Sequence, residues 1–191
     1  MVGKQAKILD APQLDRLLTY VGATRHPCRN RVLILLSAKA GLRAGEIARL
    51  TWCMVLDAAG DVGTIIELHD GAAKNKSGRL VPMHPDLRAA LIAWQRKTWS
   101  AGPIIQSERG GPMTPVAVVN WFAKAYRRLQ LEGCSSHSGR RTFITRAARL
   151  VHQAGGSLRD VQLLAGHRSI VTTQRYIDGD SDAQRKLVAM L

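Results

Sequence analysis

Apolar positions recur along the chain mostly at helical spacing, with one short interruption. Asp10 followed by APQLDRLLTYV reads as a capped helix with Pro12 in its first turn. CRNRVLILLSAKAG is a buried helix predicted to end at Gly41, and LRAGEIARL is a short one with Ile47 and Leu50 inward. The rhythm then changes. TIIEL is β-branched and apolar, and GRLVPM is extended and stopped by Pro82. The polar, glycine-containing HDGAAKNKS between them suits a hairpin connection.

Helices return with HPDLRAALIAWQRKTW, and with MTPVAVVNWFAKAYRRLQL, where Thr114 caps and Pro115 is the first helical residue. SSHSGRRTFITRAARLVHQ is a long helix closed by AGG, and SLRDVQLLAGH starts on a capping box of Ser157 and Asp160. In the tail, Ala183, Leu187, Met190 and Leu191 form an apolar helical stripe behind a polar DGDSD hinge. The pattern predicts a mostly α fold with a small antiparallel β-sheet (α+β). Without repeats or a linker rich enough to split it, residues 1–191 are expected to form a single domain.

At 191 residues and 46% hydrophobic content the chain is expected to be globular. No apolar run approaches the roughly 20 residues that cross a bilayer. Its start lacks a signal-peptide stretch, so a cytoplasmic protein with no membrane partner is expected. Cys28, Cys53 and Cys134 are too few and too scattered for a disulfide set or a zinc site, and are expected to be buried thiols.

Charge adds a partner. A net charge of +14 and a pI near 10.7 favour polyanions, although ribosome association or mere solubility would give the same totals. Distribution favours nucleic acid. Between residues 133 and 177 there are seven arginines, no lysine and one acid, Asp160. Arginine without lysine points to shaped phosphate contacts.

Several polar residues then stand out in order. Arg43 follows a glycine at a helix entrance; alone it reads as a surface arginine paired with Glu46. Lys74 lies in a turn, eight residues before Pro82. His137 and Arg140 stand at i and i+3 at a helix start, where free amides favour phosphate. His167 precedes Tyr176 by nine residues; as an isolated pair they read as a helix–turn–helix corner, with Gly166 ending one helix and Ser169 capping the next. The set holds no carboxylate cluster for a metal ion.

The ordered patterns GLRAGEIARL, a lysine eight before the proline of RLVP, HSGR, and GHRSIVTTQRY resemble those of the tyrosine recombinases, the family of phage integrases and chromosome-dimer resolvases. The resemblance runs from about Ile8 to Ile177 and implies that family's catalytic-domain fold. It implies a site-specific DNA recombinase that cuts and rejoins DNA through a 3′-phosphotyrosine, with no cofactor, metal or ATP. In this role Arg43 and Arg140 stabilise charge on the phosphate, and His167 donates a further hydrogen bond. Tyr176 is the nucleophile, His137 the acceptor of its proton, and Lys74 the acid for the departing 5′ oxygen. Arg141, Lys76, Arg79 and Arg168 are expected DNA contacts. Partners implied are double-stranded DNA at recombination sites and further copies of the chain in a tetrameric synapse, joined through the tail helix over 181–191.

The sequence departs from the family pattern in places. Gly139 stands where leucine is usual, Arg141 where a second histidine is usual, and Ala165 where leucine is common. Lys76 competes with Lys74 for the acid's role, and the proline spacing favours Lys74. The N-terminal helical domain that most family members carry is missing, so the chain is expected to be a minimal recombinase or an excised catalytic fragment. Two other functions fit parts of the pattern. A type IB topoisomerase-like relaxase shares the chemistry, and a non-catalytic DNA-binding regulator would share the charge but would not require Tyr176.

Overall fold

The structure, a computed structural model, describes residues 5–72, 78–98, 101–177 and 188–190. Among them are eight α-helices, a 3-10 turn at Trp52–Met54 and two strands. The chain divides into two compact units, residues 1–143 and 144–191, with the division inside one helix.

The first unit is built around α2 (Pro27–Ala38). It starts on Pro27, whose missing N–H costs nothing in a first turn, and nearly every side chain from Val32 to Ala38 is sealed from solvent. A helix apolar on all sides can only be central, and burying each of its Leu, Ile and Val side chains contributes roughly 1.5–3 kcal/mol. It ends three residues before the expected Gly41, because Lys39 forms the cap and the chain must turn toward α3 (Ala44–Arg49). Packed on α2 are α1 (Ala11–Gly22), α3 and α4 (Pro85–Gln95); α3 packs in turn on α5 (Pro115–Arg128). In α1, Asp10 accepts from the Gln13 N–H at 2.7 Å while the Gln13 side chain accepts from the Asp10 N–H at 3.2 Å, satisfying two end donors reciprocally.

Strands β1 (Ile65–Leu68) and β2 (Arg79–Pro82) pair antiparallel, from Ile65 opposite Pro82 to Leu68 opposite Arg79. Ile66, Leu68 and Val81 face the core; Ile65 and Leu80 face out. Helix α6 (Ser138–Leu150) begins in this unit. It is shorter at both ends than its sequence pattern predicts. The segment before α1 lies along its start: the Leu9 N–H donates to Thr142 Oγ1 at 2.8 Å, and Arg141 Nη1 donates to the Ala6 carbonyl at 2.8 Å.

In the second unit α7 (Leu158–Ala165) packs on α8 (Ile170–Gln174). The expected capping box is present: Asp160 accepts from both the Ser157 N–H and hydroxyl, which hold its carboxyl below the usual carboxylate range. Gly166 closes α7 at φ 61°, the left-handed conformation that favours glycine.

The cysteines differ from expectation. They are free thiols, but none is buried: Cys28 and Cys134 are half-buried, and Cys53 is exposed in the 3-10 turn, beside Thr51 Oγ1. The turn directs its two larger side chains, Trp52 and Met54, into the core and leaves Cys53 outside.

Candidate active site

The loop between α2 and α3 organises the first unit's share of the predicted residues. Gly41 has φ 65°, and a Cβ there would collide with the Phe143 ring. Both facts demand glycine. The carbonyl of this turn accepts a hydrogen bond from Arg140 Nη1. Arg140 is itself buried, at 3% exposure. Arg43 follows two residues later at the N-cap of α3. One turn thus anchors Arg140 and introduces Arg43.

Arg43 is indeed paired with Glu46, but not on the surface. Glu46 is 1% exposed. Its Oε2 accepts from the Arg43 N–H at 2.9 Å, and its Oε1 accepts from Arg43 Nη1 at 2.8 Å. Arg79, at the start of β2, supplies a second guanidinium: Nη1 donates to Oε1 at 3.2 Å and Nη2 to Oε2 at 3.0 Å. Burial pulls the Glu46 carboxyl upward. The Arg79 hydrogen bonds and charge, with the Arg43 N–H and charge, outweigh it and hold the carboxyl at about 2.

His137 and Arg140 do not share a helical face. The His137 carbonyl accepts the first helical bond, from the Arg141 N–H at 2.8 Å, so His137 stands before α6 and is exposed while Arg140 points inward. Gly139 is fixed by packing: a Cβ there would run into the Ser37 side chain of α2. The first turn of α6 therefore sits closer to α2 than a leucine would permit.

In the second unit His167 and Tyr176 come together. Their rings stack with centroids 5.5 Å apart and planes 22° from parallel. His167 is 8% exposed, and its Nδ1 lies 3.0 Å from the hydroxyl of the fully buried Thr173, which fixes the ring's orientation. The Tyr176 carbonyl accepts from Thr145 Oγ1 at 3.4 Å, tying the tyrosine's backbone to α6. Arg168 is exposed beside His167.

Tyr126, the other tyrosine near the basic segment, is stacked on Phe122 in the first unit's core, and its buried hydroxyl has no partner among the described residues. Burial, then Cys134, raise its phenol above the ordinary range. Lys74 and Lys76 lie outside the described residues. Most of the predicted tail helix does too; of its stripe, Met190 is described, and it is 84% exposed.

Sequence reasoning paired Arg43 with Glu46 but missed the burial of Glu46, the second guanidinium from Arg79 and the contact of Thr173 with His167. The first had a signal, since Glu three residues after a helix cap is half of a capping box. The other two had none: Arg79 reads as one more cation and Thr173 as one more helix threonine. Among the described residues no group of three or more His, Cys, Asp or Glu could hold a metal ion, and no helix is long and apolar enough to cross a membrane.

Comparison with known proteins gives consistent relatives. The model of the phage integrase family matches residues 7–182. Tyrosine recombinase XerC of Xanthomonas campestris pv. campestris (strain B100) is 31% identical over 176 residues, covering 91% of this chain and 51% of that protein. Tyrosine recombinase XerC of Xylella fastidiosa (strain 9a5c) is also 31% identical, over 91% of this chain and 56% of that protein. The chain thus spans about half the length of the curated relatives it matches. Among solved structures, the Tn1549 transposon integrase in complex with a circular intermediate DNA superposes with a TM-score of 0.77 at 19% identity, over 100% of this chain and 67% of that one. The XerA recombinase superposes with a TM-score of 0.75 at 20% identity, over 96% of this chain and 64% of that one. These likenesses establish a tyrosine recombinase catalytic-domain fold.

Proposed function

The chain belongs to the phage integrase family, and on that premise we propose that it is the catalytic domain of a site-specific tyrosine recombinase acting on double-stranded DNA. The observation that carries this reading is the His167–Tyr176 stack, with Thr173 orienting the histidine. A corner built only to pack would not need a buried imidazole fixed against a half-exposed phenol.

The chemistry follows from the groups. Tyr176 Oη attacks the scissile phosphorus, and the P–O5′ bond breaks. The phenolic proton passes to His137, and Lys74 gives a proton to the departing 5′ oxygen. Charge grows on the non-bridging oxygens during attack, and Arg43, Arg140 and His167 present donors to it. The resulting 3′-phosphotyrosine keeps the energy of the broken bond, so a 5′-hydroxyl of another strand reverses the step without ATP. Arg141, Lys76 and Arg168 hold flanking phosphates. Strand exchange takes place in a tetramer on DNA, with the tail helix of each copy seated on its neighbour.

Covalent trapping tests this reading. Nicked suicide duplexes drawn from the DNA flanking the gene should yield a protein–DNA adduct with the parent. Tyr176→Phe should bind the same duplexes equally well and give none, because one hydroxyl adds little to affinity set by many phosphate contacts. An adduct formed by the Phe variant would remove Tyr176 from the mechanism.

A further inference from the structure

We propose that Arg79 is a positioning residue of this recombinase, clamping Glu46 so that the Arg43 guanidinium stays available to the scissile phosphate. The inference rests on the reading of Arg43 as a phosphate-stabilising group, and it replaces the expectation that Arg79 touches DNA.

The carboxylate sets the problem. Glu46 is sealed from water, so each of its oxygens must find donors within the protein. Among the described residues four donors reach it, two from Arg43 and two from Arg79. The two arginines are not equivalent. Arg79 approaches as a fork, one Nη to each oxygen, with a side chain 7% exposed. Arg43 gives its backbone N–H and a single Nη, and its side chain remains 24% exposed. The sealed arginine holds both carboxylate oxygens, whereas the open one keeps guanidinium donors for a ligand.

Charge leads to the same division. Arg43 and Glu46 alone sum to zero, which would leave little field for an incoming phosphate. Arg79 brings the triad to one net positive charge, carried at its outer end by Arg43. Without Arg79, Glu46 has two vacant acceptor positions, and among the described residues Arg43 is the other guanidinium bonded to it. The remaining N–H groups of Arg43 would turn inward to fill them, away from DNA. Arg79 also ties β2 to α3, so the hairpin and the Arg43 turn are held in one register within the first unit.

The test separates a positioning residue from a phosphate contact. Affinity for a 30-base-pair duplex is measured against salt for the parent, Arg79→Met and Arg79→Lys, and single-turnover cleavage of the nicked duplexes is measured at saturating enzyme. The expected result is an unchanged salt slope with cleavage slowed roughly 10-fold to 100-fold in Arg79→Met, the size of effect that misplacing a reacting group produces. Arg79→Lys, which keeps the charge without the fork, should cleave at an intermediate rate. A salt slope shallower by about 0.9 in Arg79→Met would make Arg79 a phosphate contact and overturn the proposal. So would cleavage at the parent rate by either variant. If Arg79→Met does not fold, the lysine variant's slope and rate decide alone. The binding arm needs no cleavage, and adduct formation by the parent in the same gels reports on the recombinase reading separately.

Discussion

Arg140 Nη1 donates to the carbonyl oxygen of Gly41, joining the start of α6 to the turn that introduces Arg43. The contact depends on Gly41 keeping a left-handed backbone under the Phe143 ring. Gly41→Ala should therefore be costly twice, through the left-handed conformation and through the clash, by about 2–4 kcal/mol together. Urea unfolding measures it, with Gly22→Ala as the control. Gly22 ends α1 in open space, with nothing within 4 Å of where a Cβ would stand, so that variant should stay within about 0.5 kcal/mol of the parent. Equal costs at the two glycines would dissociate the Gly41 turn from stability.

The same turn marks how far the sequence could be read. The all-apolar run of α2 and the β-branched strands were legible because burial follows local periodicity. Arg43 with Glu46 was legible because three residues are a local distance, whereas His167 and Tyr176 were joined as site members only by the resemblance of the ordered patterns to a family. Gly41 under Phe143, Ser37 against Gly139 and Arg79 on Glu46 were not, because each joins segments far apart in the chain. Charge alone put Arg79 among the expected DNA contacts; its hydrogen bonds to Glu46 are visible only in three dimensions. The same lack of long-range information put the cysteines inside.

Acid should weaken the first unit through Glu46. Its carboxyl is held at about 2 when folded, against roughly 4.3 for an ordinary glutamate. A depressed carboxylate adds stability above the ordinary value, and that stability is lost as pH falls from about 4.5 toward 2. The shift corresponds to roughly 3 kcal/mol. Glu46→Gln should thus be less stable than the parent by about that amount at pH 7, and the two should converge toward pH 2. Urea midpoints at pH 7, 4 and 2.5 check it. A gap that stays constant across this range would assign the loss to packing instead of charge.

Loss of the proposed general acid has a chemical signature. Lys74→Ala should slow cleavage by roughly 10²–10⁴, as removal of a general acid does. Replacing the bridging 5′ oxygen of the substrate with sulfur should restore most of that rate, since a thiolate leaves without a proton. Lys76→Ala should slow cleavage less and gain nothing from sulfur. Rescue of Lys76→Ala in place of Lys74→Ala would show that the spacing to Pro82 chose the wrong lysine.

The tail beyond Tyr176 supplies the last test. Four of its apolar positions, Ala183, Leu187, Met190 and Leu191, repeat at helical spacing. Val188 and Met190, the large apolar side chains described there, are 70% and 84% exposed. Methionine and valine exposed to that degree contribute little to the fold of their own chain, and burying them on a second copy would recover part of the roughly 25 cal/mol per Å² that apolar contact provides. Truncation after Asp180 should accordingly leave the monomer's melting temperature and its affinity for duplex DNA unchanged while abolishing strand exchange between two sites. Circular dichroism melts and a two-plasmid recombination assay read the two quantities separately. A melting temperature lowered by several degrees would return the stripe to the chain's own core. Recombination at the parent rate by the truncated protein would show that the synapse assembles without it.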